Sequence, residues 1–142
     1  MLCLASGLHV WDEAAHDFLS YFNATVLTLY GHFSWFPRID MQFQTWLAGL
    51  IVVNILLLLL TPFAYRNTRW MRPLGYAFAA IEFLNGIGHI AATVRGGTVG
   101  SVQFPSVSPG FCTAPLLLLA SGYLFWSLRR SRGTPASADK LS

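Results

Sequence analysis

The segment from Met41 to Tyr65 has no charged side chain, and this feature most constrains what the chain can fold into. Within it, Leu47 to Leu60 is almost continuously aliphatic, and Asn54 is the only strongly polar interior residue. About 20 consecutive apolar residues in a helix are enough to cross the hydrocarbon core of a bilayer. The segment therefore predicts a membrane-spanning helix.

Composition extends this prediction to the whole chain. The 142 residues are 54% hydrophobic and only 11% charged, whereas soluble domains have about 25% charged residues. We therefore predict an all-α fold, an integral membrane bundle of four transmembrane helices that forms a single domain over residues 1–130. The net charge of +3 comes from arginines at segment ends. This pattern favours membrane lipids as partners and argues against nucleic acid.

Breaks in the apolar pattern define the four predicted spans. They run from Leu2 to Leu29, Met41 to Tyr65, Pro73 to Val94 and Ser108 to Leu128. The third is ended by Gly96 and Gly97, and the fourth is predicted to begin with Ser108 as its N-cap and Pro109 at its first position. An uncharged connector at 98–107 is predicted to be extended or re-entrant, and residues 131–142 a disordered cytoplasmic tail.

Basic residues predict the orientation of the bundle. With four spans, only Arg38 and Arg95 lie on one side of the membrane, and the larger group on the other consists of Arg66, Arg69, Arg72, Arg129, Arg130, Arg132 and Lys140. Because Lys and Arg concentrate in cytoplasmic loops, both termini are predicted to be cytoplasmic.

Ionisable residues inside the predicted spans indicate the functional site. An ionisable side chain at the centre of a membrane helix costs roughly 2.5 to 3.5 kcal/mol on insertion scales, so such groups face one another, a metal or a water-filled cavity. Four of the six carboxylates and three of the four histidines lie in the first and third spans. They are His9, Asp12, Glu13, His16, Asp17, Glu82 and His89.

Helical spacing gives each of these two spans one polar stripe, because residues three, four and seven apart share a face. The stripe of the first span consists of His9, Glu13 and His16, and Asp12 is spaced to pair with His9 and with His16. The stripe of the third span consists of Glu82, Asn85 and His89. Both spans run outward from the cytoplasm in the predicted topology. At 1.5 Å per residue, Glu13 lies about 16 Å beyond Leu2 and Glu82 about 14 Å beyond Pro73, so these two carboxylates are expected at the same depth.

Carboxylates and imidazoles on facing helices are ligands for zinc, iron or manganese. The predicted metal ligands are His9, Glu13, Glu82 and His89, with Asp12, His16 and Asn85 as further ligands or as residues that support the ligands. Glu13 and Glu82 are the predicted catalytic residues, either of which serves as general base if the other groups hold the metal. One Glu-x-x-His motif, Glu13 to His16, favours a mononuclear or asymmetric site over a full di-iron site.

The function that this site predicts is a membrane enzyme that hydrolyses or oxidises a small apolar or lipid-like substrate entering from the bilayer. Two other classes stay open. Without a metal, the buried carboxylates suit a proton relay, an acid/base pair or a proton or ion translocator. The chain also suits an accessory subunit of a larger membrane complex or a homo-oligomer, with Gly86 and Gly88 packing against a partner helix.

Three motifs give a family resemblance. His9-Val10-Trp11-Asp12-Glu13, then Glu82-x-x-Asn85-x-x-x-His89, then Ser108-Pro109-Gly110 resemble the HXXEE-domain family of small bacterial membrane proteins. Asp12 replaces the first Glu of the name motif, and Val107 stands where tyrosine commonly precedes Ser-Pro-Gly. The resemblance implies an integral protein of the bacterial inner membrane, with these acids and histidines as its signature and a suspected enzymatic role. It implies no particular reaction.

Overall fold

Five α-helices form the regular structure in the computed structural model, which describes residues 1–66, 70–98, 102–103 and 106–130. They are α1 (Leu2–Ala15), α2 (Phe18–His32), α3 (Phe43–Tyr65), α4 (Met71–Arg95) and α5 (Ala114–Arg130). The predicted all-α class is confirmed for these residues. Two helices, α3 and α4, are long and apolar enough to cross a membrane. The predicted tail at 131–142 lies outside the described residues.

Helix α3 is the most apolar element, with a mean hydropathy of 2.5 over its best window. Its 23 residues extend about 35 Å at 1.5 Å per residue, enough to cross a hydrocarbon core of about 30 Å. None of its residues is buried within the protein. Most of its aliphatic side chains are exposed, as suits a helix in lipid, while four leucines are half-buried: Leu47, Leu50, Leu57 and Leu60. The prediction of 41–65 is accurate to within two residues.

Helix α4 begins at Met71 and ends at Arg95, close to the predicted 73–94. Gly96 follows with φ +72, and its N–H donates to the carbonyl of Thr93 while that of Gly97 donates to the carbonyl of Ala92. This pair of bonds is a Schellman C-cap, which favours glycine at the left-handed position. The predicted stop at Gly96 and Gly97 is confirmed.

The predicted continuous first helix is wrong, because α1 ends at Ala15 and α2 begins at Phe18. Asp17 between them has φ +54, and its Oδ2 accepts a hydrogen bond of 2.6 Å from the Ser20 hydroxyl. Aspartate tolerates the left-handed region better than most residues. No glycine or proline marks this break, so the sequence pattern does not reveal it.

The predicted start of the last span is also wrong, because α5 begins at Ala114 rather than Ser108. Residues 108–113 form a turn, called here the covering loop, in which Gly110 has φ +83 and therefore cannot belong to a helix. Helix α5 packs most extensively on α4 and also contacts α1. Gly86 permits the close contact of α4 with α5, since a Cβ there would lie 3.1 Å from the Ala114 carbonyl oxygen.

Helices α1 and α4 run in the same direction, with a register set by two polar contacts. Ser6 bonds to Glu82, 76 positions away, and Glu13 meets His89 at the same separation. The predicted alignment of Glu13 with Glu82 is therefore wrong by two helical turns, because the start of α1 lies level with Ala79 rather than with the start of α4. The buried core contains Leu2, Ala5, Ala79, Leu117 and Ala120.

Candidate metal centre

Three ligand atoms converge between α1 and α4. Glu13 Oε1 lies 3.5 Å from His9 Nε2 and 3.1 Å from His89 Nε2, and one ligand atom from each residue lies within 4.8 Å of the others. All three residues are buried. We call His9, Glu13 and His89 the ligand cluster. The sequence predicts all three as ligands, and the structure brings them together.

The ring nitrogen of His9 outside the ligand cluster, Nδ1, is called here its outer nitrogen, and it is hydrogen-bonded to Thr113 of the covering loop. Thr113 Oγ1 lies 2.8 Å from His9 Nδ1 and 2.9 Å from Asp12 Oδ2, which also accepts the Thr113 backbone N–H at 3.0 Å. A hydroxyl has one proton to donate. Thr113 uses this proton to donate a hydrogen bond to the Asp12 carboxylate. Its oxygen therefore accepts a hydrogen bond from His9 Nδ1–H.

The outer nitrogen of His89 also contacts a hydroxyl. Its Nδ1 lies 3.2 Å from the Ser108 hydroxyl, and that hydroxyl donates to the Pro109 carbonyl at 3.1 Å. In the tautomer with the proton on Nδ1, Ser108 accepts from His89; in the other tautomer, Ser108 donates to Nδ1 and His89 Nε2–H donates to Glu13 Oε1 at 3.1 Å. Thr93 supports this arrangement, because its hydroxyl accepts the Ser108 backbone N–H at 3.0 Å and donates to the His89 carbonyl at 2.9 Å.

These outer contacts determine the chemistry at the centre of the ligand cluster. A neutral imidazole protonated at Nδ1 has an unprotonated Nε2. When both histidines are in this tautomer, both Nε2 atoms and the Glu13 carboxylate are acceptors, and His9 Nε2 has no hydrogen-bond partner among the described residues. Three acceptors that face one another in a buried space repel unless a cation or a proton lies between them.

The residues present fit a divalent metal. Two imidazoles and a carboxylate are a known donor set for zinc and for iron. With bonds of about 2.1 Å in a tetrahedral arrangement, ligand atoms lie about 3.4 Å apart. The two distances to Glu13 Oε1, 3.1 and 3.5 Å, are close to this value, and all three ligand atoms lie within 4.8 Å of one another. Ligating histidines also commonly donate their other ring N–H to a neighbouring acceptor, which fixes the tautomer.

Gly110 closes the ligand cluster on the side of the covering loop. A Cβ at this position would lie 2.8 Å from His9 Cε1, 2.9 Å from His89 Cε1 and 3.1 Å from Glu13 Cγ. Carbon atoms in contact normally stay about 3.5 to 4.0 Å apart. The loop can therefore approach both imidazole rings only because residue 110 is a glycine.

The other predicted site residues lie outside the ligand cluster. Glu82 is buried and accepts a hydrogen bond of 2.8 Å from Ser6, and Asn85 lies in the wall of a cavity beside His89. His16 bonds to Asp12 through Nδ1 at 2.8 Å, as its spacing predicts, but its side chain is 58% exposed. Asp12 supports His9 through Thr113 rather than joining the three ligand atoms.

A cavity of about 270 Å³ adjoins the ligand cluster at His89. It lies between α2 and α4, and the Phe18 ring in its wall has its centre 5.8 Å from that of His89. A second cavity of about 120 Å³ borders Asp12 and His16. The larger one, called here the lateral cavity, connects the surface of the bundle to a residue of the ligand cluster.

Sequence reasoning misses the residues that support the two histidines. Thr113 lies about 100 positions from its partners, and no helical spacing links residues on separate elements. Ser108 and Gly110 are noticed as a predicted helix start and as part of the family motif, but not as neighbours of the histidines. One local signal was available, since Thr113 precedes Ala114 and Pro115, and threonine followed by proline in the first turn is typical of a helix N-terminus.

Comparison with known proteins yields no match among family models, curated proteins or solved structures. The resemblance to the HXXEE-domain family stays a prediction. Fold and site define a small helical protein with two candidate membrane spans and a buried His/Glu cluster that is geometrically able to hold a metal.

Proposed function

We propose that this protein is a membrane-embedded, metal-dependent enzyme that hydrolyses or oxidises a small apolar or lipid-like substrate. Its divalent metal is held by His9 Nε2, His89 Nε2 and Glu13 Oε1. The observation that carries this proposal is the convergence of three buried acceptors, with both outer imidazole nitrogens engaged by hydroxyl groups. A divalent cation at this centre would satisfy all three ligand atoms at once.

Two features favour a catalytic metal over a structural one. Structural zinc sites are usually closed by four protein ligands, whereas catalytic sites have three and keep a position for substrate or water. The ligand cluster supplies three, and the lateral cavity reaches it at His89. Zinc in such a site supplies Lewis-acid chemistry, while iron or manganese supplies redox chemistry.

The remaining acids have separate roles in this proposal. Asp12 accepts from Thr113 and so fixes the orientation of His9. Because Glu13 serves as a ligand, Glu82 is the predicted carboxylate left to transfer a proton, and Ser6 orients it. His16, with its exposed side chain, is not assigned as a ligand.

Elemental analysis of chelator-free, detergent-purified protein tests the proposal. We expect one equivalent of zinc, iron or manganese per chain, lost in His9→Ala, Glu13→Gln and His89→Ala. His32→Ala is the matched control, since His32 is an exposed histidine on α2, and should keep the metal. Metal-free protein, or metal content that the three variants leave unchanged, contradicts the metalloenzyme.

A metal-free result would favour a proton translocator, and one observation supports this second function. Hydrogen bonds of 2.8 to 2.9 Å run from the exposed His16 through Asp12 and Thr113 to the buried His9. A single proton shared within the ligand cluster also satisfies its acceptors. Proton uptake into proteoliposomes under a pH gradient, abolished by Asp12→Asn, would establish that function instead.

We further infer membership of the HXXEE-domain family, four spans and a place in the bacterial inner membrane with both termini cytoplasmic. The motifs around the ligand cluster and the arginines near the predicted cytoplasmic ends of the helices support this inference. Reporter fusions test the orientation. A reporter after residue 142 that is active only in the cytoplasm agrees with it, and one active only in the periplasm contradicts it.

A further inference from the structure

The lateral cavity has a largely apolar wall. Phe18, Tyr21 and Phe22 come from α2, and Leu84, Gly88 and Ala92 come from α4. Among its polar wall residues, the Thr25 hydroxyl donates to the Tyr21 carbonyl at 2.6 Å and lies 2.7 Å from the Thr98 hydroxyl, and the Ser108 hydroxyl bonds to His89 and Pro109. The wall groups therefore largely satisfy one another, and most of the remaining surface suits a hydrocarbon.

The position of the opening indicates where a ligand comes from. Leu84, at the rim, is 66% exposed. It lies near the middle of α4, which is a candidate membrane span. A rim at this depth faces lipid chains rather than headgroups or water. The ligand therefore enters sideways from the bilayer.

The volume limits the size of the ligand. A cavity of about 150 Å³ lined by apolar side chains binds benzene, which corresponds to about 25 Å³ per carbon atom. On this scale, the 270 Å³ of the lateral cavity hold an apolar group of about ten carbon atoms. A phospholipid with two long chains is too large to be enclosed.

The composition of the wall limits the charge of the ligand. No lysine or arginine lines the lateral cavity among the described residues. Away from the metal proposed at the ligand cluster, a phosphate or sulfate group in the cavity would lose its hydration without gaining a cationic side chain. Alcohol, aldehyde and ester groups are polar without this penalty, and His89 and Asn85 lie in the wall where such a group would sit.

We propose that the lateral cavity binds a single-chain amphiphile with an apolar tail of about ten carbon atoms and an uncharged polar head, such as a medium-chain alcohol, aldehyde or ester. The head lies at His89, and the tail lies between α2 and α4. The binding of the amphiphile can be tested without the metal. Its role as the substrate of the metal centre rests on the proposed function.

Gly88 offers a way to change the cavity without changing the ligand cluster. A Cβ at Gly88 meets nothing within 4 Å, so a side chain there begins in open space. Leucine adds four carbons, which fill about 100 Å³ and leave room for a tail of about six or seven carbons. Gly49 on α3 is also open within 4 Å and does not line the cavity, so Gly49→Leu is the matched control.

The test is photolabelling of the full chain in lipid nanodiscs with a decanol analogue that carries a diazirine at the end of its tail. Hexanol, decanol and tetradecanol compete for the site, and peptide mass spectrometry locates the labelled residues. We expect labels on α2 and α4 and the strongest competition from decanol. In Gly88→Leu, but not in Gly49→Leu, hexanol should become the strongest competitor.

Labels confined to the outward face of α3, competition independent of chain length, or the same preference in both variants would overturn the proposal. Elemental analysis of the same nanodiscs separates it from the proposed function. Metal without length-selective labelling refutes the cavity assignment alone. Length-selective labelling without metal supports the binding site and refutes the metalloenzyme alone.

Discussion

Replacing Gly110 with alanine perturbs the ligand cluster in a way whose magnitude follows from the structure. The new Cβ would lie 2.8 Å from His9 Cε1 and 2.9 Å from His89 Cε1. To restore normal carbon contacts, each ring or the loop must move by about 0.7 Å. Binding sites tolerate only about 0.5 Å of such displacement. We therefore expect metal affinity to fall by about 10- to 100-fold, the range found for lost support of metal ligands.

A second effect of Gly110→Ala is backbone strain, because φ is +83 at this position. An alanine in the left-handed region costs about 1 to 2 kcal/mol. Gly96→Ala separates the two effects, since Gly96 has φ +72 but a Cβ there meets nothing within 4 Å. Both variants should lose about 1 to 2 kcal/mol of stability from strain, and only Gly110→Ala should also lose metal.

Competition with a chromophoric chelator gives the metal affinity, and unfolding in mixed detergent micelles gives the free energy of unfolding. Equal destabilisation of Gly110→Ala and Gly96→Ala, with wild-type metal affinity in both, would show that the covering loop does not press on the imidazole rings. The reasoning from Gly110 would then be refuted, whatever metal the protein contains.

Three further changes give distinct outcomes. Thr113→Val removes the hydroxyl that accepts from His9, so we expect metal affinity to fall by about 10- to 100-fold by chelator competition, with Thr113→Ser restoring it. Glu82→Gln should keep the metal in elemental analysis and lose turnover, because this carboxylate lies outside the ligand cluster; loss of the metal would make it a ligand. Gly86→Leu should lower the free energy of unfolding by about 1 to 3 kcal/mol by forcing α4 and α5 apart, whereas Gly49→Leu should change it by less than about 0.5 kcal/mol.

Sequence alone predicts the helices whose ends coincide with a change of composition. The uncharged run of α3 stops at Arg66, and α4 stops at Gly96, so both are predicted to within about two residues. The break at Asp17 is missed because the left-handed backbone there is adopted by aspartate without a glycine or proline signal. The start of α5 is misplaced because a Ser-Pro pair suits both a helix start and a turn, and the positive φ of Gly110 decides for the turn.

The ligand cluster is predictable in its members but not in its alignment. Spacing places His9 and Glu13 on one face of α1, and the cost of burying ionisable groups requires a partner for them. Which residue of α4 they meet depends on how far α1 reaches along it. Counting from the helix starts selects Glu82, whereas the packing of Leu2 and Ala5 beside Ala79 brings His89 to Glu13.

The break after Ala15 explains why the ligand cluster and the lateral cavity lie side by side. A continuous helix through Asp17 would carry Phe18 and Phe22 onward along the axis of α1. With Asp17 in the left-handed region, α2 is a separate helix, and these two rings form one wall of a space whose other wall is α4. His89 belongs to both the ligand cluster and the lateral cavity. Its Nε2 is one of the three ligand atoms, and its ring lies beside that of Phe18 in the cavity wall. One aspartate with an unusual backbone conformation thus opens the bundle at the point where a substrate would have to reach the proposed metal centre.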